Sequence, residues 1–106
     1  MLPVRVALIP LRTHVKRPDL NWQRFVNVAE EAVARERVDV ICLPECAFTG
    51  YLYEQDDLAG FAEPIPGPTT DKVASLARQL RAGVCFGLVE RAATGIFNRS
   101  HPTPNG

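Results

Sequence analysis

Several things are missing from this 106-residue chain, and each absence removes a class of function. Charge of one sign is missing. Twelve basic and twelve acidic residues cancel, so there is no electrostatic footprint for nucleic acid or an anionic membrane surface. Long apolar runs are missing, which excludes a transmembrane helix, and Met1 to Arg5 lacks the ordered charged region and apolar core of a signal peptide. The three cysteines are an odd number with no CxxC pair, which argues for free thiols in a reducing, cytoplasmic compartment rather than a disulfide framework. His14 and His101 make no zinc spacing with them, and the adjacent Asp56 and Asp57 lack the alternating oxygen ligands of a calcium loop. No glycine-rich phosphate loop opens a helix, which disfavours a small nucleotide-binding domain. No metal and no cofactor is expected, and there are no internal repeats.

What is present is the pattern of one α/β domain, since the length suits one small domain and not two. Val4–Ile9 reads as a first strand, ended by Pro10. Asp19 is a plausible N-cap for a helix in which Trp22, Phe25, Val26, Ala29, Ala32 and Val33 recur at spacings of three and four. That helix should end near Arg37. Val38 to Leu43 is short, mostly apolar and not alternating, as suits a strand buried on both faces of a parallel sheet. Strand, helix and strand form a βαβ unit with a right-handed crossover.

Residues 45–68 read as a long loop-like segment, functional or partly structured, in which Asp56–Phe61 can form a short helix. Thr69 or Thr70 can cap the next helix, whose buried face is Val73, Leu76, Ala77 and Leu80, with Gly83 at its C′ position. Val84–Val89 gives a third strand, Arg91–Gly95 a hairpin turn, and Ile96–Asn98 a fourth strand. Residues 100–106 read as a turn-forming tail with little to bury.

One residue stands where such sheets hold ligands. Open α/β sheets bind beyond the carboxyl ends of their strands, and Glu45 follows the second strand directly, after Pro44. A glutamate there can cap a helix or simply face solvent. It can also act as a general base, if Leu43, Pro44, Phe48 and Tyr51 partly desolvate it. Cys46 adjoins it, but neighbours in an extended segment point to opposite sides, and no histidine is placed to activate the thiol. Cys42 and Cys85 read as core residues of their strands.

Taken together, Leu43-Pro44-Glu45, Phe48-Thr49-Gly50-Tyr51, the first strand, Asn21, Ile65-Pro66-Gly67-Pro68, and Gly87 to Arg91 followed by Phe97-Asn98 resemble the N-terminal part of a carbon–nitrogen hydrolase of the nitrilase superfamily. The resemblance spans about residues 3–99 of a single partial domain, with 100–106 divergent. It implies part of an α–β–β–α sandwich that hydrolyses non-peptide C–N bonds in amides, carbamoyl compounds or nitriles. It also implies a Glu–Lys–Cys triad in which Glu45 is the base, with Phe48 and Tyr51 as pocket candidates. The family's lysine and cysteine motifs fall downstream of the equivalent of Asn98, and Lys16, Lys72 and Cys46 do not replace them. The expectation is therefore a fragment, a frameshifted frame or a separately made piece, inactive alone. Its sheet should be bare on one face and able to self-associate. The rival expectation is a non-catalytic subunit-pairing module.

Overall fold

The computed structural model describes residues 3–103. In chain order the elements are β1 (Val6–Leu8), α1 (Pro18–Arg35), β2 (Val40–Cys42), α2 (Gln55–Phe61), α3 (Pro68–Leu80), β3 (Gly83–Ala92) and β4 (Gly95–Thr103). They form one four-stranded sheet in the order β1-β2-β3-β4. The first three strands are parallel and β4 returns antiparallel on β3. The βαβ reading and the final hairpin are both present.

The register decides which side chains share a face. Ala7, Ile41 and Val84 lie in one row. That face, with Ile9, Phe86 and Leu88, packs against Phe25 and Ala29 of α1 and Val73, Leu76 and Ala77 of α3. The amphipathic spacing of both helices thus closes one core on one side of the sheet. The neighbouring rows, Val6–Val40–Gly83 and Leu8–Cys42–Cys85, point the other way. There Val6 is 52% and Leu8 76% exposed, while Val40, Cys42 and Cys85 are half-buried. The second strand is therefore covered on one face only, a correction to its reading as buried on both.

Local chemistry corrects other details. Helix α1 starts one residue before Asp19: Pro18 occupies its first turn, Arg17 is the N-cap, and Asp19 pairs with the Arg17 guanidinium at 3.1 Å. A proline fits there because the first helical N–H has no intrahelical partner anyway. The N-cap of α3 is Gly67 rather than either threonine. Its N–H donates to Thr70 Oγ1 at 2.7 Å, and Thr70 Oγ1 donates back to the Gly67 carbonyl at 3.1 Å. A Cβ on Gly67 would lie 2.3 Å from the Pro64 carbonyl oxygen, so only glycine fits. Arg81, not a glycine, takes the left-handed C-cap at φ 56°, and Gly83 opens β3.

The largest difference is at the end. Residues 100–103 belong to β4 and pair with β3 as far as Val84↔Thr103. β3 leaves a row of backbone groups needing partners, and this overrides the turn-forming composition of the tail. Pro102 is tolerated because β4 is an edge strand. Residues 104–106 and the side chain of His101 lie outside the described residues.

Candidate functional site

Beyond β2 the chain does not stay extended. The last ladder bond runs from Leu43 N–H to the Cys85 carbonyl at 3.0 Å, and residues 45–49 then form a turn. Cys46 takes φ 54° and its carbonyl accepts from Gly50 N–H at 2.8 Å. The alternation argument that separated Glu45 from Cys46 thus does not apply to this geometry. The Cys46 thiol is pushed above its ordinary range, by burial first and by the neighbouring Glu45 charge second. Both effects favour the neutral thiol, which is the wrong direction for a nucleophile at neutral pH.

Three buried features hold the turn. Phe48 is 5% exposed, and its ring lies 5.7 Å from Trp22, 5.6 Å from Phe25 and 5.8 Å from Phe86. Edge-on aromatic contacts of this kind fix ring orientation as well as burying area. Gly50, at φ +74°, passes the 11–17 segment so closely that a Cβ would meet Val15 Cα at 3.0 Å. Asn21, fully buried on α1, is the third. Its Nδ2 donates to the Phe48 carbonyl and to the His14 carbonyl, each at 2.8 Å, and its Oδ1 accepts from His14 N–H at 2.7 Å. One amide thus ties a helix, a loop and the acid-bearing turn.

Asn21→Ala would remove the partner of the buried Phe48 carbonyl and of the part-buried His14 N–H, while the His14 carbonyl keeps the Arg17 N–H at 3.3 Å. The buried carbonyl costs most, about 1–3 kcal/mol, and the part-buried N–H less, so a destabilisation of about 2–3 kcal/mol is expected. Urea unfolding of the 106-residue chain measures it, and a shift below about 1 kcal/mol would show that the turn stands without this strut.

Glu45 itself is exposed, and its Oε1 accepts from Asn98 Nδ2 at 2.6 Å, across from β4. Among the described residues Oε2 has no hydrogen-bond partner. Glu45 and Asn98 sit on the rim of a hollow of about 310 Å³, with Leu43, Cys85, Gly87 and Ser100 among its other walls. This hollow opens on the bare side of the sheet, at the carboxyl end of the parallel strands. Neither pocket candidate lines it: Phe48 is a core residue, and Tyr51 is 54% exposed elsewhere on the surface.

A larger depression of about 470 Å³ lies at the opposite, amino end of the strands. Its Arg5, Arg35 and Arg37 are paired with Glu36, Glu31 and Asp39, and it holds no nucleophile. Chemistry therefore points to the smaller hollow. Among the described residues no cluster of three or more His, Cys, Asp or Glu could hold a metal ion. No described helix is long and apolar enough to cross a membrane.

A helix-backed α/β sheet with an acid at the carboxyl end of a central strand has that acid at the edge where open α/β sheets hold ligands. The chain belongs to the carbon–nitrogen hydrolase family, whose sequence model matches residues 5–101. It is 27% identical over 97 residues to a nitrilase of Pyrococcus abyssi, covering 90% of this chain and 37% of that protein. It is 32% identical over 79 residues to a Pseudomonas protegens protein described as a hydrolase in the pqqF 5′ region, covering 74% of this chain and 27% of that one. The chain thus spans about a third of the length of these relatives.

Its fold superposes on the carbon–nitrogen hydrolase superfamily protein XC1258 of Xanthomonas campestris with a TM-score of 0.85 at 24% identity, over 98% of this chain and 37% of that one. The Saccharomyces cerevisiae nitrilase-superfamily member Nit3 gives 0.80 at 22%, over 95% and 40%.

Proposed function

We propose that this chain supplies the general base of a site that hydrolyses a non-peptide carbon–nitrogen bond, with Glu45 as that base. The observation that carries the reading is the place of Glu45: at the carboxyl end of β2, on the rim of a hollow, with one carboxylate oxygen held and the other open. Family membership supports it, as does the resemblance of Leu43-Pro44-Glu45 to the family's glutamate motif. In the Glu–Lys–Cys scheme that resemblance implies, the carboxylate takes the proton of a cysteine thiol. The thiolate attacks an amide or carbamoyl carbon and a lysine stabilises the tetrahedral adduct; a nitrile carbon gives instead a thioimidate, to which a first water adds before ammonia leaves. The carboxyl then returns the proton to the leaving nitrogen, and the same carboxylate deprotonates the water that hydrolyses the thioester.

On this reading the 106 residues alone do not turn over. Cys46, next to the base in sequence, has its thiol pushed toward the neutral form, and neither Lys16 nor Lys72 is at the site: Lys16 pairs with Asp57 at 2.8 Å and Lys72 lies over Trp22 at 4.7 Å. The reading includes a cytoplasmic location, supported by three unbridged thiols.

The test is ammonia release from a panel of amides and nitriles. It compares the 106-residue chain with an assembled enzyme in which that chain is joined to the lysine- and cysteine-bearing remainder of a related nitrilase. Release by the assembled enzyme alone is the expected result. Turnover by the 106 residues would overturn the division of labour. A subunit-pairing role is the second reading, favoured by the bare apolar sheet face.

A further inference from the structure

The bond between Asn98 and Glu45 joins residues 53 positions apart, and among the described residues neither side chain makes another hydrogen bond. Asn98 lies on β4 opposite Val89, so the β3–β4 hairpin carries its amide across the open end of β2. A carboxylate only accepts hydrogen bonds, so the amide must present Nδ2 and not Oδ1. The cation next along β4 is turned away. Arg99 Nε donates to Glu90 Oε1 at 2.7 Å and its guanidinium stacks 5.0 Å from the Phe97 ring. The acid therefore meets a neutral donor.

We infer that Asn98 is a positioning residue for Glu45: its amide fixes Oε1 and leaves Oε2 as the oxygen that takes and returns the proton. This deepens the general-base reading and rests on it. Glu45 is exposed and opens a turn, so its three side-chain torsions would otherwise sample many rotamers. A base that must meet a proton within about 3 Å works only in the fraction of time it points there. An amide suits the task because it orients the carboxylate yet neither supplies nor competes for the proton. A lysine or arginine in its place would pair with the carboxylate charge itself. Asn98 is itself exposed, so replacing it removes no core packing.

The experiment has two arms. In the 106-residue chain, the Asn98 side-chain amide resonances in a 15N–1H spectrum should move on Glu45→Ala, with the core resonances of Phe25 and Phe86 unchanged. In the assembled enzyme, Asn98→Ala and the isosteric Asn98→Asp should each lower kcat about 10- to 100-fold, as befits losing a hydrogen bond to a charged group, with KM altered less than about threefold. A merely structural Asn98 would tolerate the isosteric Asp. If Glu45→Gln is inactive while both Asn98 variants stay within about twofold of the parent kcat, the positioning role is wrong and the base assignment stands. If Glu45→Gln is fully active, both fall. Asn98 resonances indifferent to Glu45→Ala would remove the contact on which the inference is built.

Discussion

Glu45→Gln in the assembled enzyme should lower kcat by about 10²- to 10⁴-fold, the range general-base catalysis contributes, while leaving KM close to the parent value. Glutamine is the informative substitution because it isolates the proton. It has the shape of glutamate and keeps an oxygen that can accept from Asn98 Nδ2, but it cannot take up a proton at any working pH. The residue is exposed and belongs to no buried ion pair, so the change should move folding stability by no more than about 0.5 kcal/mol. A matched unfolding midpoint beside a collapsed kcat separates lost chemistry from a lost fold. Cys46→Ala serves as the internal control. The Cys46 thiol is kept protonated by burial and by the Glu45 charge, so its removal should leave turnover within a few-fold. Activity that survives Glu45→Gln but not Cys46→Ala would reverse the roles given to the two neighbours.

How legible these roles are in the sequence depends on the range of the interaction behind each. The βαβ order and the place of Glu45 follow from local patterning: an apolar run stopped by a proline, then an acid at the sheet edge where such folds bind ligands. The buried faces of α1 and α3 follow from spacing alone. The element ends do not, because a cap is decided by one or two hydrogen bonds that several neighbouring residues could make. Gly67, with the Pro64 carbonyl packed against it, prevailed over Thr69 and Thr70.

The tail was unreadable for the opposite reason. Residues 100–103 gain their order from β3, a partner up to 19 positions away in sequence at the Val84↔Thr103 pair, as 103 − 84 gives. Phe48 illustrates a third kind of difficulty. An aromatic residue three positions after a candidate base suits a pocket wall and a core pin equally well. Only the packing of Trp22, Phe25 and Phe86 around it decides for the pin. Asn98 is the extreme case, since nothing within its own hairpin indicates that its amide meets an acid on another loop.

The bare sheet face gives the other large effect. The 106-residue chain should self-associate, with sedimentation velocity showing species heavier than 11.7 kDa as concentration rises through the micromolar range. Val6 and Leu8 stand on the edge strand β1 with Val40, Cys42 and Cys85 beside them, a contiguous apolar strip with no helix over it. Burying a side chain such as Leu8 contributes about 1.5–3 kcal/mol, so the strip's apolar side chains, counted on both copies, are what drives two copies together against the cost of association. The pair Val6→Lys and Leu8→Lys should therefore yield a monomer. Both side chains already face solvent, so the helix-backed core formed by Phe25, Ile41 and Phe86 should keep its cooperative unfolding. The two readings of the chain part here. If the strip is the seat of the remaining catalytic layer, the double variant should also lose the ability to be complemented, since lysines would be buried without partners. If it pairs only copies of this chain, complementation should survive. A native chain that stays monomeric throughout would rule out the pairing role.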